Sequence, residues 1–160
     1  MDDALHPSAQ RVIDVLRARG VEGVVRQFDV ATKTARDAAA ALGCDVGAIA
    51  STLVFVVDEE PVVVIKSGAQ RVDLARLQRA AGGPSARQAS PDEVRAATGQ
   101  PIGGVSPVGW PHALRTFIDD SLSRYETVWA ACGTPNAVFS STYEELRSLT
   151  GALPLALHPS

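Results

Sequence analysis

Two apolar stretches, Thr52 to Val57 and Pro61 to Ile65, are separated only by the acidic break Asp58-Glu59-Glu60. Both are rich in β-branched residues, and so short an acidic interruption is a turn signal, so together they predict a β-hairpin. Neither stretch alternates apolar with polar residues. Each strand must therefore be covered on both faces, which places the hairpin inside a sheet with other elements packed around it.

The rest of the chain supplies those elements. Val12, Val15 and Leu16, with Ile13 beside them, fall at helical spacing between Ser8 and Arg19, and Gly20 is a C-terminal stop. Val24 to Phe28 reads as a short strand, and Thr34 caps a helix over Ala35 to Leu42 that ends at Gly43. Ser67-Gly68 ends the second hairpin strand, and a helix from Val72 to Ala80 is stopped by Gly82-Gly83-Pro84. Ser90-Pro91-Asp92-Glu93 combines an N-cap, a first-turn proline and a capping-box glutamate, and the helix it opens ends near Gly99. Thr116 to Asp119, Thr127 to Cys132 and Ala137 to Phe139 read as further strands, and Thr142-Tyr143-Glu144-Glu145 opens a last helix that stops around Thr150-Gly151. Helices and strands are interspersed without a strict βαβ rhythm, so the expected class is α/β or α+β, a mixed sheet with peripheral helices. There is no repeat, linker or low-complexity tract, and residues 1–160 read as a single domain.

Composition narrows the function. Apolar residues make up 46% and charged residues 21%, which are the values of a globular chain. A net charge of −3 argues against stable duplex DNA binding, which relies on many Lys and Arg contacts to phosphates. The N-terminal Met1-Asp2-Asp3 has neither a basic nor an apolar signal region, and no apolar run approaches the ~20 residues of a membrane helix. A cytoplasmic protein with no membrane association is expected. Cys44 and Cys132 lie far apart with no Cys or His at ligand spacing, so neither a disulfide framework nor a metal site is expected.

Side chains of the usual catalytic kinds are scarce. The histidines are His6, His112 and His158, two of them near chain ends. Asp119 and Asp120 are neighbours at a strand end and would point to opposite faces, and Cys132 follows an apolar run that suggests a buried, inert thiol. What stands out is backbone. Between Gly99 and Pro111 lie Pro101, Gly103, Gly104, Pro107 and Gly109, too much punctuation for helix or strand and without the spacing of a dinucleotide or P-loop fingerprint. A second loop, Gly133-Thr134-Pro135, follows Cys132. Glycine loops can simply turn the chain. They can also aim N–H groups at a carbonyl, and one preorganised donor of that kind contributes roughly 3 kcal/mol to transition-state binding.

Five segments together resemble the YbaK family, also called prolyl-tRNA synthetase-associated or editing domains. They are Thr34 to Ala39, Ile49 to Phe55, Ser67 to Asp73, Thr98 to Gly109 and Ala130 to Asn136, in this order. The resemblance implies a mixed, partly barrel-like sheet wrapped by helices. It also implies hydrolysis, without cofactor or metal, of the ester of a mischarged aminoacyl-tRNA, and a synthetase as a possible partner. It implies that Thr34, Gly104, Val105, Ser106, Pro107, Thr134 and Pro135 bind the aminoacyl moiety, with Ser51, Gly103 and Gly133 at the reacting centre. Members of the family carry a lysine immediately before the Thr-Leu or Ser-Leu of the first core strand, and Ser51 stands there in this chain. Two readings follow: a deacylase acting in trans, or a binding module for an aminoacyl-tRNA end, an amino acid or a synthetase.

Overall fold

The structure, a computed structural model, describes residues 6–32 and 34–157. The hairpin forms its spine. Strand β2 (Ile49–Val57) runs antiparallel to β3 (Glu60–Ser67) in unbroken register from Ala50↔Ser67 to Val57↔Glu60. Asp58 and Glu59 make the two-residue turn with φ of 51° and 66°, the left-handed pair that matches the twist of a tight hairpin.

Six more strands complete one mixed sheet: β1 (Val25–Gln27), β4 (Ala86–Gln88), β5 (Arg115–Asp119), β6 (Val128–Ala131), β7 (Ala137–Ser141) and β8 (Leu153–Leu155). The order is β1-β7-β6-β2-β3-β5-β8, with β4 on the second half of β2. The ends of this path do not meet, so the sheet stays open. Pairs β2·β6, β3·β5 and β5·β8 are parallel and the others antiparallel.

Alternate residues of the hairpin face two separate cores, as its unbroken hydrophobicity demands. Ala50, Val54, Val63 and Ile65 pack with helices α1 (Pro7–Ala18), α4 (Pro91–Thr98) and α5 (Tyr143–Thr150) through Val12, Leu16, Val94 and Leu146. Phe55, Val57, Val62 and Val64 pack on the other face with Leu77 of α3 (Leu74–Ala81). Helix α2 (Ala35–Leu42) covers Ile49 and Trp129 with Ala38 and Ala39. The caps read from sequence hold these helices: Thr34 accepts from the Asp37 N–H, Thr142 from that of Glu145, and Ser90 and Glu93 close a full capping box.

Candidate functional site

The edge of β2 that faces away from β3 is paired in two pieces. Strand β6 occupies it only at Ile49 and Ala50, and β4 only from Phe55 to Val57, with the Ala89 N–H reaching the Val54 carbonyl. Between them, among the described residues, no strand pairs residues 51–53 on this edge. At this gap lies a cavity of about 270 Å³ that reaches side chains from both faces of β2. Its walls include Ser51, Thr52, Leu53 and Val54, the start of α2 at Thr34 and Ala35, Ala89 and Val94, and Gly103 and Val105 of the long glycine loop. Thr32 and Lys66 also line it.

Buried side chains hold the glycine loop in shape. The Ser106 N–H donates to Gln100 Oε1 at 2.6 Å, and Gln100 Nε2 donates to the Val108 carbonyl at 3.1 Å. The Ser106 hydroxyl accepts from the Val108 N–H, and the Trp110 indole donates to the Ser106 carbonyl. Gln100 and Ser106 are both buried, so each lost bond would strand a polar group away from water. The loop is thereby fixed before any ligand arrives. The Gly104 N–H turns back to the Pro101 carbonyl, whereas the N–H groups of Gly103 and Val105 have no acceptor among the described residues.

The second loop stands behind the first. A Cβ on Gly104 would lie 2.7 Å from the carbonyl carbon of Thr134, so the two loops touch backbone to backbone. A Cβ on Gly133 would lie 2.7 Å from the Ser8 carbonyl oxygen, which puts Gly133 against α1. Thr134 is buried, with its hydroxyl accepting from the Asn136 N–H. The Pro135 carbonyl accepts from both the N–H and the hydroxyl of Thr32, and so positions that cavity residue.

Of the residues singled out in the sequence, Thr34, Ser51, Gly103 and Val105 line the one cavity. Gly104, Ser106, Gly133 and Thr134 are buried in the layer that supports it, and Pro135 is half-buried there. Pro107 faces a different hollow, behind the loop, shared with His112. His158 lies outside the described residues. Cys132 is fully buried, its thiol 3.7 Å from the Ala9 carbonyl, and burial pushes that thiol up to about 12. Asp119 is an internal clamp: its carboxylate accepts from the Ser67 N–H and from both the N–H and the hydroxyl of Ser121. Among the described residues no group of three His, Cys, Asp or Glu side chains could hold a metal ion, and no helix is long and apolar enough to cross a membrane.

Of the cavity residues not assigned a role from the sequence, two stand out. Thr52, only 7% exposed, has a hydroxyl with no hydrogen-bond partner among the described residues. Leaving such a group dry costs about 1–3 kcal/mol, a cost that a polar ligand atom would remove. Its signal was a lone hydroxyl on the inward side of an otherwise apolar strand. The other is Lys66, the charge that ends the run of β3. Its ammonium donates to the carbonyls of Ser67 at 3.1 Å and Gln70 at 2.9 Å. Burial pushes its pKa below the ordinary lysine value, and the Asp119 charge pulls the other way.

A model of the family described as the aminoacyl-tRNA editing domain matches residues 29–149. The Bacillus subtilis protein YwhH is 35% identical over 78% of this chain and 80% of its own length. The Enterococcus faecalis protein named "Putative Cys-tRNA(Pro)/Cys-tRNA(Cys) deacylase EbsC" is 30% identical over 73% of this chain and 72% of its own. Among solved structures, one titled "Crystal structure of a putative trans-editing enzyme for prolyl tRNA synthetase" superimposes with a TM-score of 0.92 at 44% identity, covering 98% of this chain and 100% of that one.

Proposed function

This chain belongs to the family of aminoacyl-tRNA editing domains, and on that premise we propose that it is a deacylase acting in trans on mischarged tRNA in the cytoplasm. The observation that carries the reading is the cavity at the gap in β2. Two backbone N–H groups without acceptors among the described residues, those of Gly103 and Val105, belong to residues on the same cavity wall as the Thr52 hydroxyl, which likewise has no partner among them. A carbonyl held against those donors gains stabilisation as it becomes an oxyanion. Water attacks the ester carbon, the bond to the ribose oxygen breaks, and that oxygen takes a proton, releasing free amino acid and intact tRNA. No His, Asp or Glu is among the described residues of the wall, so the proton is relayed by water or by the substrate's own amino or hydroxyl groups.

The chemical need for such a site is general, since a synthetase pocket gains only ~1–3 kcal/mol from one methylene and charges close analogues by mistake. The relatives' names support prolyl-tRNA synthetase as the source of those errors and as a partner. Ser51 in place of the family lysine favours the second reading, a binding module that holds the aminoacyl end without turnover. A panel of mischarged tRNAs separates the two: release of an amino acid above the buffer rate supports the deacylase. Binding of the same tRNAs without release supports the module.

A further inference from the structure

The cavity has two unlike ends, because successive residues of β2 leave the strand on opposite faces and the gap exposes both. At one end Thr52 stands with the apolar Ala89, Val94 and Val105. At the other, Ser51 and Lys66 are direct cross-strand partners on one face of the sheet. Lys66 is the only charged side chain on the wall among the described residues.

An ammonium has three N–H donors. Two of those on Lys66 are taken by the Ser67 and Gln70 carbonyls, which anchor the head group, and one remains. Among the described residues no carboxylate forms an ion pair with it, and the nearby Asp119 spends its oxygens on Ser67 and Ser121. A half-buried, anchored and unpaired cation at a cavity wall is a site for an anion. The buried Thr52 hydroxyl, which has no partner among the described residues, is a second polar group on the wall of the same cavity.

We propose that Ser51 and Lys66 form a phosphate subsite that holds the phosphate of the terminal nucleotide, while the aminoacyl group occupies the Thr52 end. The proposal rests on the deacylase reading. Phosphate fits better than the developing oxyanion, because Lys66 keeps contact with water, which suits a permanently charged group that stays partly hydrated. The oxyanion forms instead at the ester, beside Gly103 and Val105. The Ser51 hydroxyl is a second donor from the neighbouring strand.

The test uses two small esters, 3′-aminoacyl-adenosine with and without a 5′-phosphate, and their non-hydrolysable amide counterparts for calorimetry. The wild-type protein should show a KM and Kd about tenfold lower for the phosphorylated member of each pair. Lys66→Gln should erase that advantage, read as a rise in KM and Kd confined to the phosphorylated member of each pair, and Lys66→Arg should keep most of it, with thermal melts verifying that both variants fold. Raising the salt concentration should weaken only the phosphorylated probes. The proposal is overturned if Lys66→Gln leaves the phosphate advantage intact, or if it lowers kcat equally on both esters. If neither ester is hydrolysed by any variant, the deacylase reading falls, and the amide pair still decides the subsite through its Kd values.

Discussion

Replacing Gly104 by Ala tests whether the two glycine loops act as one rigid unit. The added Cβ would lie 2.7 Å from the Thr134 carbonyl carbon and 2.8 Å from the Pro135 nitrogen and Thr134 Cα, all backbone atoms. Ordinary contact begins near 3.4 Å, so the loops must part by most of an ångström. Neither is free to swing: the Gly104 N–H is bonded to the Pro101 carbonyl, and the Pro135 carbonyl is held by Thr32. Overpacking of this kind costs about 1–3 kcal/mol. For a domain of this size that lowers Tm by roughly 3–10 °C. Catalysis should suffer more, because a shift of about 1 Å in a positioning group can cost on the order of 100-fold in rate. Gly103→Ala is the contrast. No atom lies within 4 Å of its Cβ, but its φ of +88° is strained for alanine, at a cost of about 1 kcal/mol. It should lower the deacylation rate with a smaller drop in Tm. Thermal melts and single-turnover deacylation are the assays. A Gly104→Ala protein with wild-type Tm and rate would refute the picture of one coupled loop pair.

Thr52→Val keeps the shape and deletes the unpartnered hydroxyl, so the free protein should be as stable or slightly more so. Its relative rate on a hydroxyl-bearing amino acid over the apolar isostere should fall at least tenfold, read as the threonine-to-valine ratio of kcat/KM on matched esters. Thiol titration at pH 8 should find only the half-exposed Cys44 reactive in the native protein and both cysteines after unfolding. Cys132 stays protonated in the fold up to about 12 against an ordinary 9.0. Its neutral form therefore contributes stability below pH 9 that is lost as pH rises from there towards 12. Glu93, hydrogen-bonded to Arg87 and the Ser90 N–H, has its pKa lowered to about 2 from 4.5. Its contribution is present above pH 4.5 and lost as pH falls towards 2, so the Tm difference between wild type and Glu93→Gln should shrink across that range.

The elements legible in the sequence were those with local causes. The β2–β3 hairpin shows itself in two β-branched runs around a short acidic turn, and α2, α4 and α5 in caps whose partners lie three residues away. Strands β4 and β8 were not legible. Each has three residues, β8 contains Pro154, and both exist only through pairing with distant strands. The same limit hid the cavity, because a gap in strand pairing leaves no mark on the strand that borders it. Alternation along a strand puts residues 51 and 52 on opposite faces without saying what each face meets. Only the register assigns Ser51 to the face of Lys66 and Thr52 to that of Ile65. The glycine loops were legible as shaped backbone. Their division of labour was not, since the contacts of Gly104 with Thr134 and of Gly133 with Ser8 join residues remote in sequence.

The central claim is that backbone N–H groups of the long glycine loop stabilise the reacting ester. The most direct measurement replaces the Gly103 or Val105 N–H by an ester oxygen, through incorporation of the matching α-hydroxy acid, and compares single-turnover hydrolysis with the parent protein. Loss of one such donor should lower kcat by about 100- to 1000-fold while KM stays close to the parent value. Unchanged kcat at both positions would contradict it.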